Sequence, residues 1–317
     1  MTKSTRFLVM TTLLGLGLQV APAHAQLSRT AVSAARGNDG NACDLAAPCR
    51  TFQVAHDKTN DQGEITVLDP GGYGSLTITK SISIVNDGVG EASILVSGGP
   101  GNFGITINAP VGGYVNLRGI TIQGIGFGGG TGLRFNTGFS LTMENCVIRN
   151  HTLDGLEFRA SGTSNLTVSN TLLADNGGHG VEVTPSGSVT VKVFLDRFGM
   201  YNNSLDGFIV NGQFSTGTIN ATAADSAAAN NGGTGYLVTS SSAGARSNLM
   251  VVRSAAANNG TGIASDNTGA TLWVSQSTVT GNTTSWSSSG SVLQSFGDNN
   301  IVGNSDGNPA PPTIAKK

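Results

Sequence analysis

Charged and aromatic residues are scarce in this chain of 317 residues, at 11% and 6% of the total. Its 17 Lys and Arg nearly balance its 19 Asp and Glu, and no block of like charges occurs, so no nucleic acid partner is expected. The 46 glycines and 9 prolines argue against a mainly helical protein. Because 38% of the residues are hydrophobic, the chain still has enough apolar material to build a core.

Long hydrophobic runs are also missing. None reaches the roughly 18 residues that a membrane span needs, so no membrane insertion is expected. A shorter apolar run, residues 7–18, follows Lys3 and Arg6 and precedes the small residues Ala23 and Ala25. This pattern predicts a cleaved signal peptide at residues 1–25 and a mature protein that is secreted or periplasmic. We expect that mature protein to be a monomer.

Cysteine is rare, with three in the whole chain. Cys43 and Cys49 lie close together, and in an oxidising compartment we expect them to form a disulfide. The alternative is a metal-binding pair, but the sequence offers few further thiol or imidazole ligands. Cys146 lies in an apolar stretch, where a buried and unreactive thiol is expected.

A short repeat runs through most of the chain. Each unit has a glycine followed by apolar residues in alternation, and a second apolar stretch often precedes that glycine. Asn-Gly, Asp-Gly and Gly-Gly pairs separate the stretches and suit tight turns. The repeat glycines, at intervals of 23 to 28 residues, are Gly104, Gly132, Gly155, Gly180, Gly207, Gly235 and Gly262.

A single unit of this size cannot bury its own apolar face, whereas stacked units form a continuous narrow core. The repeat therefore predicts an all-β fold, a three-faced, right-handed parallel β-helix of about nine or ten coils. We expect one domain over residues 26–304. It should include a short N-terminal capping helix near residues 51–58, and residues 305–317 should form a disordered C-terminal tail.

The start of the mature chain and the coils that follow resemble the pectin-lyase-like superfamily of right-handed parallel β-helix proteins, over roughly residues 32–304. Members include polysaccharide lyases, glycoside hydrolases, adhesins and proteins without assigned activity, so the resemblance implies the fold more strongly than any chemistry. The pattern is similar to that of exported bacterial members and consists of Gly37, Asn38, Asp39, Cys43, Cys49, Arg50, Thr51 and Phe52.

The catalytic motifs of that superfamily are incomplete here. Residues 178–180, Gly-His-Gly, match one motif of the polygalacturonase members, but their Asp-Asp and Arg-Ile-Lys motifs have no counterpart. The lyase members use calcium-binding aspartates and a basic residue, and no aspartate cluster beside an Arg or Lys matches their motifs. Calcium stays open as a cofactor, and no metal ligand is assigned.

Stacking makes equivalent residues of successive coils neighbours at about 4.8 Å, so the alignment predicts clusters in space. Just before the repeat glycines stand Asp154, His179 and Asp206. An imidazole between two carboxylates can transfer protons near neutral pH, which makes these residues catalytic candidates. The alternative is that short polar groups at this position only satisfy the backbone of the turn.

Two residues after the repeat glycines stand Arg134, Glu157 and Glu182, which should point outward because their neighbours are apolar. Two carboxylates about 5 Å apart are compatible with a retaining glycosidase or with a calcium site. Glu157 and Glu182 are therefore further catalytic candidates, and Arg134 is a candidate for binding an acidic sugar. The alternative is an ordinary solvated face on which Arg134 pairs with Glu157.

Other polar and aromatic positions have simpler interpretations. Tyr201, Tyr236 and Trp273 are the aromatic residues expected to be exposed on long faces, where they could bind sugar rings. Asn145 and Asn170 occupy matching turn positions and predict an amide ladder along the axis. A second turn column is interpreted in the same structural way and comprises His151, Asn176, Asn203, Asn231 and Asn258.

The sequence leaves three functional classes open. We favour a carbohydrate-binding or surface-binding module or a structural solenoid, with a polysaccharide as the candidate partner. The alternative is a lyase or glycoside hydrolase acting on a pectin-like acidic polysaccharide. An enzyme should have one concentrated polar site, whereas a binding module should have a long shallow groove without a perturbed acid–base pair.

Overall fold

The computed structural model describes residues 27–96, 101–125, 129–241 and 244–316. The expected signal peptide lies outside these residues. Within them the chain winds through three parallel sheets, here called A, B and C, of 11, 10 and 9 strands. Each sheet pairs strands from successive coils in parallel, which makes the fold a parallel β-helix, as the repeat predicts.

The chain visits sheets A, B and C in rotation. Sheet A begins with β1 and β2, sheet B with β3 and sheet C with β4, and every third strand thereafter joins the same sheet. The elements in chain order are β1 (Leu27–Val32), α1 (Phe52–Lys58), β2 (Thr59–Val67), β3 (Gly71–Gly72), β4 (Leu76–Ile78), β5 (Ile82–Val85), β6 (Ala92–Leu95), β7 (Phe103–Asn108), β8 (Tyr114–Arg118), β9 (Ile120–Gln123), β10 (Thr131–Thr137), β11 (Ser140–Glu144), β12 (Val147–Arg149), β13 (Leu156–Phe158), β14 (Ser164–Ser169) and β15 (Leu172–Ala174). They continue with β16 (Val181–Val183), β17 (Thr190–Asp196), β18 (Gly199–Tyr201), β19 (Phe208–Asn211), β20 (Thr218–Ala224), β21 (Ala227–Ala229), β22 (Thr234–Thr239), β23 (Arg246–Val252), β24 (Ala255–Ala257), β25 (Thr261–Asp266), β26 (Ala270–Ser275), β27 (Thr278–Thr280), β28 (Thr284–Ser289), β29 (Val292–Ser295) and β30 (Asn300–Ile301).

The core consists of inward residues stacked in rows along the axis. In β11, Leu141 and Met143 are buried while Thr142 between them faces outward, as strand alternation requires. Aromatic residues stack in the same way, and the rings of Phe135 and Phe158 lie parallel with centroids 4.3 Å apart. One such apolar row in sheet A contains Val115, Leu141, Leu166, Val193, Ala221, Leu249, Leu272 and Leu293.

The turn from sheet A to sheet B bends at one residue in the left-handed conformation. Asn145 and Asn170 take this position with φ of 54° and 47°. Asparagine tolerates that conformation better than most residues do. The amide ladder predicted through these two residues is wrong, because Oδ1 of Asn170 accepts a hydrogen bond from Nε of Arg197 instead.

The amide ladder lies in the turn from sheet B to sheet C. Nδ2 of each asparagine donates to Oδ1 of the next, at 2.9 to 3.1 Å. The predicted member Asn258 is wrong by one position, since Asn259 forms the rung and Asn258 takes the left-handed conformation beside it. The ladder contains Asn176, Asn203, Asn231, Asn259, Asn282 and Asn304.

Helix α1 packs against the first coil, where a cap was expected. Its N-terminus is closed by Thr51, whose side chain accepts a hydrogen bond from the backbone N–H of Val54. In the preceding loop Cys43 and Cys49 form the predicted disulfide, with their Cα atoms 4.6 Å apart. Cys146 is free and buried.

The segment after Asn304 differs from the disordered tail that its polar sequence indicated. The carboxylate of Asp306 accepts hydrogen bonds from the backbone N–H and the hydroxyl of Ser285, both at 2.7 Å. Thr313 then pairs with Ser295 as an isolated parallel bridge. The physical reason is that the last coil leaves backbone groups without a following strand, and the tail supplies partners for them.

Candidate functional site

The predicted outward row lies on sheet C. Parallel pairing places Arg134 of β10 opposite Glu157 of β13, and Glu157 opposite Glu182 of β16. The row faces outward because the flanking residues, such as Leu133 and Phe135, point into the core. The register therefore brings these three charged side chains together on consecutive coils.

Glu157 is nevertheless buried, with only 4% of its surface exposed. Arg134 contacts its Oε2 from one side, and Nε of Arg159 lies 3.4 Å from the same oxygen on the other. The guanidinium of Arg134 also lies over the ring of Phe103, 4.2 Å from its centroid. The row is therefore an ion-pair network around a buried glutamate, and not the ordinary solvated face of the alternative interpretation.

Arg159 was missed in the sequence. It stands two residues after Glu157, so the same alternation that directs Glu157 outward also directs Arg159 outward. Its Nη2 lies 3.7 Å from Oε2 of Glu182, which links the two glutamates through one guanidinium.

The column before the repeat glycines lies beside this network. Oδ1 of Asp154 accepts the backbone N–H of His179 at 2.6 Å, and Asp206 accepts that of Thr234. Nδ1 of His179 lies 3.2 Å from Oδ2 of Asp206. The aspartates therefore satisfy the turn backbone of the next coil, as the structural alternative predicts, and Asp206 also lies against the imidazole.

The two columns meet at a carboxylate cluster. Asp154, Glu157 and Glu182 each offer one oxygen, and these three oxygens lie within 4.8 Å of one another. Like charges at this separation raise the cost of ionising Asp154 and Glu182. We call Asp154, Glu157, Glu182 and His179 the sheet C cluster.

The environment shifts the proton affinities of this cluster. Burial, with the nearby charges of Glu182 and Glu157, raises the pKa of Asp154 to about 6. Burial and the charge of Glu157 also raise the pKa of Glu182. Burial opposes the charged form of His179, but its hydrogen bond to Asp206 and the surrounding carboxylates outweigh this and raise its pKa. Asp154 can therefore exchange a proton close to neutral pH.

Calcium fits these residues poorly. The three carboxylates are close enough to share a cation, but Arg134 and Arg159 both contact Oε2 of Glu157. Two guanidinium groups thus already supply positive charge where a cation would lie, and calcium needs 6 to 8 oxygen ligands. A metal ion is therefore given no part in the chemistry of this site.

The three aromatic candidates do not join the cluster. Tyr201 lies on β18 of sheet B and Trp273 on β26 of sheet A, both half-buried. Tyr236 is fully buried, so its predicted exposure is wrong. It directly follows a repeat glycine, and this position points into the core, as it does for Leu133 and Leu156 in earlier coils.

Among the described residues, no helix combines the length and the apolar character that crossing a membrane would require. Helix α1 has seven residues.

Comparison with protein-family models gives a match to "Right handed beta helix region" over residues 71–205 and 103–283. The chain belongs to this family. The parallel β-helix is accordingly right-handed, as the sequence resemblance implied. Comparison with curated proteins gives no match.

Three solved structures are similar to this chain at low sequence identity. Pectate lyase Pel9A matches with a TM-score of 0.52 and 20% identity, covering 78% of this chain and 70% of the lyase. The A-module of mannuronan C-5 epimerase AlgE6 from Azotobacter vinelandii gives 0.40 and 14%, covering 84% and 94%. Lacto-N-biosidase of family GH136 from Eubacterium ramulus gives 0.42 and 9%, covering 91% and 67%. At such identities the likeness concerns the fold alone.

Proposed function

We propose that this protein hydrolyses glycosidic bonds of a polysaccharide bound over the sheet C cluster. The observation that carries the proposal is the meeting of three carboxylates within 4.8 Å, one of which, Asp154, has its pKa raised to about 6. A concentrated polar site with a perturbed acid is the feature that distinguishes an enzyme from a binding module.

Asp154 is the proposed general acid. Its Oδ1 accepts the backbone N–H of His179, which leaves Oδ2 to carry the proton that passes to the leaving oxygen. Glu182 is the proposed second carboxylate; burial raises its pKa, and the positive charges of His179 and Arg159 oppose this effect. Carboxyl groups about 5 to 5.5 Å apart correspond to the retaining geometry, and one oxygen of Asp154 lies within 4.8 Å of one oxygen of Glu182. In this proposal Glu182 attacks the sugar carbon as Asp154 protonates the leaving oxygen, and water then cleaves the glycosyl-enzyme ester and returns a proton to Asp154.

The remaining members have supporting roles in this proposal. Buried Glu157 holds Arg134 and Arg159 in place, and the two guanidinium groups orient an acidic sugar of pectin-like type. His179, backed by Asp206, adjusts the proton affinity of Asp154 through its charge. No role at this site is proposed for Tyr201.

A location outside the cytoplasm agrees with this substrate. The Cys43–Cys49 disulfide indicates an oxidising compartment. We propose that the protein is secreted or periplasmic and meets its polysaccharide there.

The test is a panel of acidic and neutral polysaccharides incubated with the protein, with and without calcium. New reducing ends without an unsaturated product report hydrolysis, whereas new reducing ends together with an unsaturated product that absorbs ultraviolet light would report a lyase instead. Asp154→Asn should lower turnover by about 100-fold or more, because the amide still accepts the His179 N–H but has no proton to donate. The matched control is Asp225→Asn, at an exposed turn between sheets A and B, which should leave turnover unchanged.

Binding without cleavage is the second candidate. It is favoured by the hydrogen bonds that Asp154 and Asp206 accept from the turn backbone, since these are structural roles. Retention of a polysaccharide without new chain ends would support this candidate and contradict hydrolysis. If the protein binds and cleaves no polysaccharide of the panel, the interpretation that remains is a structural solenoid.

A further inference from the structure

The outer face of sheet A differs chemically from that of sheet C. Two adjacent outward rows run along the axis from β8 to β29, and we call them the sheet A rows. The first row contains Tyr114, Ser140, Asn165, Lys192, Asn220, Asn248, Thr271 and Val292. The second contains Asn116, Thr142, Thr167, Phe194, Thr222, Met250, Trp273 and Gln294.

The sheet A rows are almost free of charge. They contain no acidic residue and one basic residue, Lys192, and most of their side chains are hydroxyls and amides. Such groups donate and accept hydrogen bonds without attracting ions. A neutral ligand rich in hydroxyl groups complements this face, whereas an acidic polysaccharide would find only one cation within the rows.

Within sheet A, every third strand from β8 onward carries an aromatic ring in one of these two rows. Tyr114 lies on β8, Phe194 on β17 and Trp273 on β26, so consecutive rings are about 14 Å apart along the axis. Tyr114 is 54% exposed and Phe194 is 44% exposed. Nε1 of Trp273 donates to Oε1 of Gln294 at 3.2 Å, which ties this indole to its neighbour in the row.

Polar groups and a cleft accompany the rings. Nδ2 of Asn248 donates to Oδ1 of Asn220 at 2.9 Å, so these amides are linked along the axis between Phe194 and Trp273. Beside them lies a shallow cleft of about 460 Å³, whose lining includes Arg246, Asn248, Thr271 and Val292. The face therefore combines flat rings, fixed amides and a depression in one continuous strip.

We propose that the sheet A rows bind a neutral polysaccharide lengthwise, as a second surface separate from the sheet C cluster. Aromatic rings pack against the apolar faces of sugar rings, while hydroxyls and amides bond to the sugar hydroxyls. The spacing of the rings fits an extended chain that contacts one ring every few sugar residues. This surface does not depend on the proposed hydrolysis.

The first test measures retention of the full chain on insoluble neutral glucans, cellulose and curdlan, beside polygalacturonate. Replacing both Phe194→Thr and Trp273→Thr should weaken binding to a neutral glucan at least tenfold, and Phe194→Thr alone should weaken it measurably. Threonine already occupies flanking positions of the same row, at Thr167 and Thr222, so the strands tolerate it. The matched control is Phe214→Ser, a 67% exposed ring outside the rows, which should bind as the wild type does.

A second measurement does not rely on disruptive variants. The chain has two tryptophans, and Trp286→Phe leaves Trp273 as the sole indole. Adding soluble neutral glucan oligosaccharides should shift and quench its fluorescence in a saturable way. Asp154→Asn should abolish hydrolysis while leaving this signal unchanged, so the two proposals fail separately.

Three outcomes would overturn the proposal. The first is that the wild type and the double variant bind neutral glucan equally. The second is that the Trp273 fluorescence responds to polygalacturonate alone. The third is that the wild type is a dimer and the double variant is a monomer. The last result would assign the face to a second copy of this chain.

Discussion

Cys146 takes a position that hydroxyl residues occupy in neighbouring coils. Oγ1 of Thr171 and Oγ of Ser226 each donate to the carbonyl two residues earlier, and Sγ of Cys146 lies 3.3 Å from the equivalent carbonyl of Glu144. Burial raises the pKa of the Cys146 thiol to about 11. The side chain therefore takes the place of a small polar group, beside Thr171 of the next coil, and is not a reactive thiol.

Two results should follow for Cys146. A thiol reagent should leave the native protein unlabelled and modify one thiol after unfolding without reductant. Cys146→Ser should change the free energy of unfolding by less than about 1 kcal/mol, because serine reproduces the hydrogen bond of the adjacent coils. Rapid labelling of the native protein, or a large loss of stability, would contradict this account.

Asp154 should make stability depend on pH. Its pKa is raised to about 6, so the folded protein binds this proton more tightly than the unfolded chain does. Its contribution is therefore complete below the ordinary aspartate pKa near 4 and is lost as pH rises through about 6. Urea unfolding of wild type and Asp154→Asn between pH 4 and 7 should show the wild type losing on the order of 2 kcal/mol more over this window. Parallel curves for the two proteins would contradict the shift.

At the level of elements, the turn from sheet B to sheet C depends on the buried hydrogen bonds of the amide ladder. Oδ1 of Asn231 accepts both the backbone N–H and Nδ2 of Asn203, and its Nδ2 donates to Met200 and Asn259. All these groups are buried, so an unmatched one cannot turn to water.

Asn231→Ala should therefore lower the free energy of unfolding by about 2 to 4 kcal/mol, measured by chemical denaturation. The adjacent Asn230 is left-handed, with φ of 59°, and less buried, so Asn230→Gly should cost little. Similar losses for both variants would mean that the ladder does not carry the stability of this turn.

Much of the strand register could be predicted from the sequence. Glycine intervals sufficed to align Arg134, Glu157 and Glu182, because sheet register follows the repeat closely. The one-residue error at Asn258 arose because the interval from rung to rung varies separately from the interval between glycines. The exposure predicted for Tyr236 is wrong because a residue that directly follows a repeat glycine points into the core, whatever its type. The burial of Glu157 could not be predicted, since it depends on where two long arginine side chains settle.

At the scale of the whole molecule, the two ends of the solenoid are closed differently. Helix α1 packs on the first coil, and the tail pairs with the last, where the backbone N–H of Ile314 donates to Ser295 at 2.9 Å. Lys316 also forms an ion pair with Asp298 at 2.7 Å. A bare final strand would offer unpaired backbone groups to another chain.

Removing residues 305–317 should therefore expose this edge and promote association. Light scattering should show concentration-dependent oligomers for the shortened chain, against a constant mass for the full chain. Replacing only Lys316→Ala, which removes the ion pair but keeps the backbone pairing, is the control and should not associate. A shortened chain that stays at the mass of the full chain would show that the tail does not protect the edge.

The sequence repeat predicted the β-helix architecture, but it did not predict that the C-terminal tail packs on the last coil. Its polar and proline-rich sequence indicated disorder, and only the unpaired edge of the last coil explains why it packs. Catalytic function could not be fixed from the sequence either, because the proton affinity of Asp154 depends on burial and on side chains from two coils.

The central claim is that Asp154 acts as a proton donor on a bound polysaccharide. Its most direct test is the pH dependence of kcat/KM on the polysaccharide that gives new reducing ends. Because the acid must be protonated, kcat/KM should fall as pH rises through about 6, and Asp154→Asn should remove both the activity and this limb. A profile that is flat from pH 5 to 8, or an Asp154→Asn variant with wild-type turnover, would contradict the account.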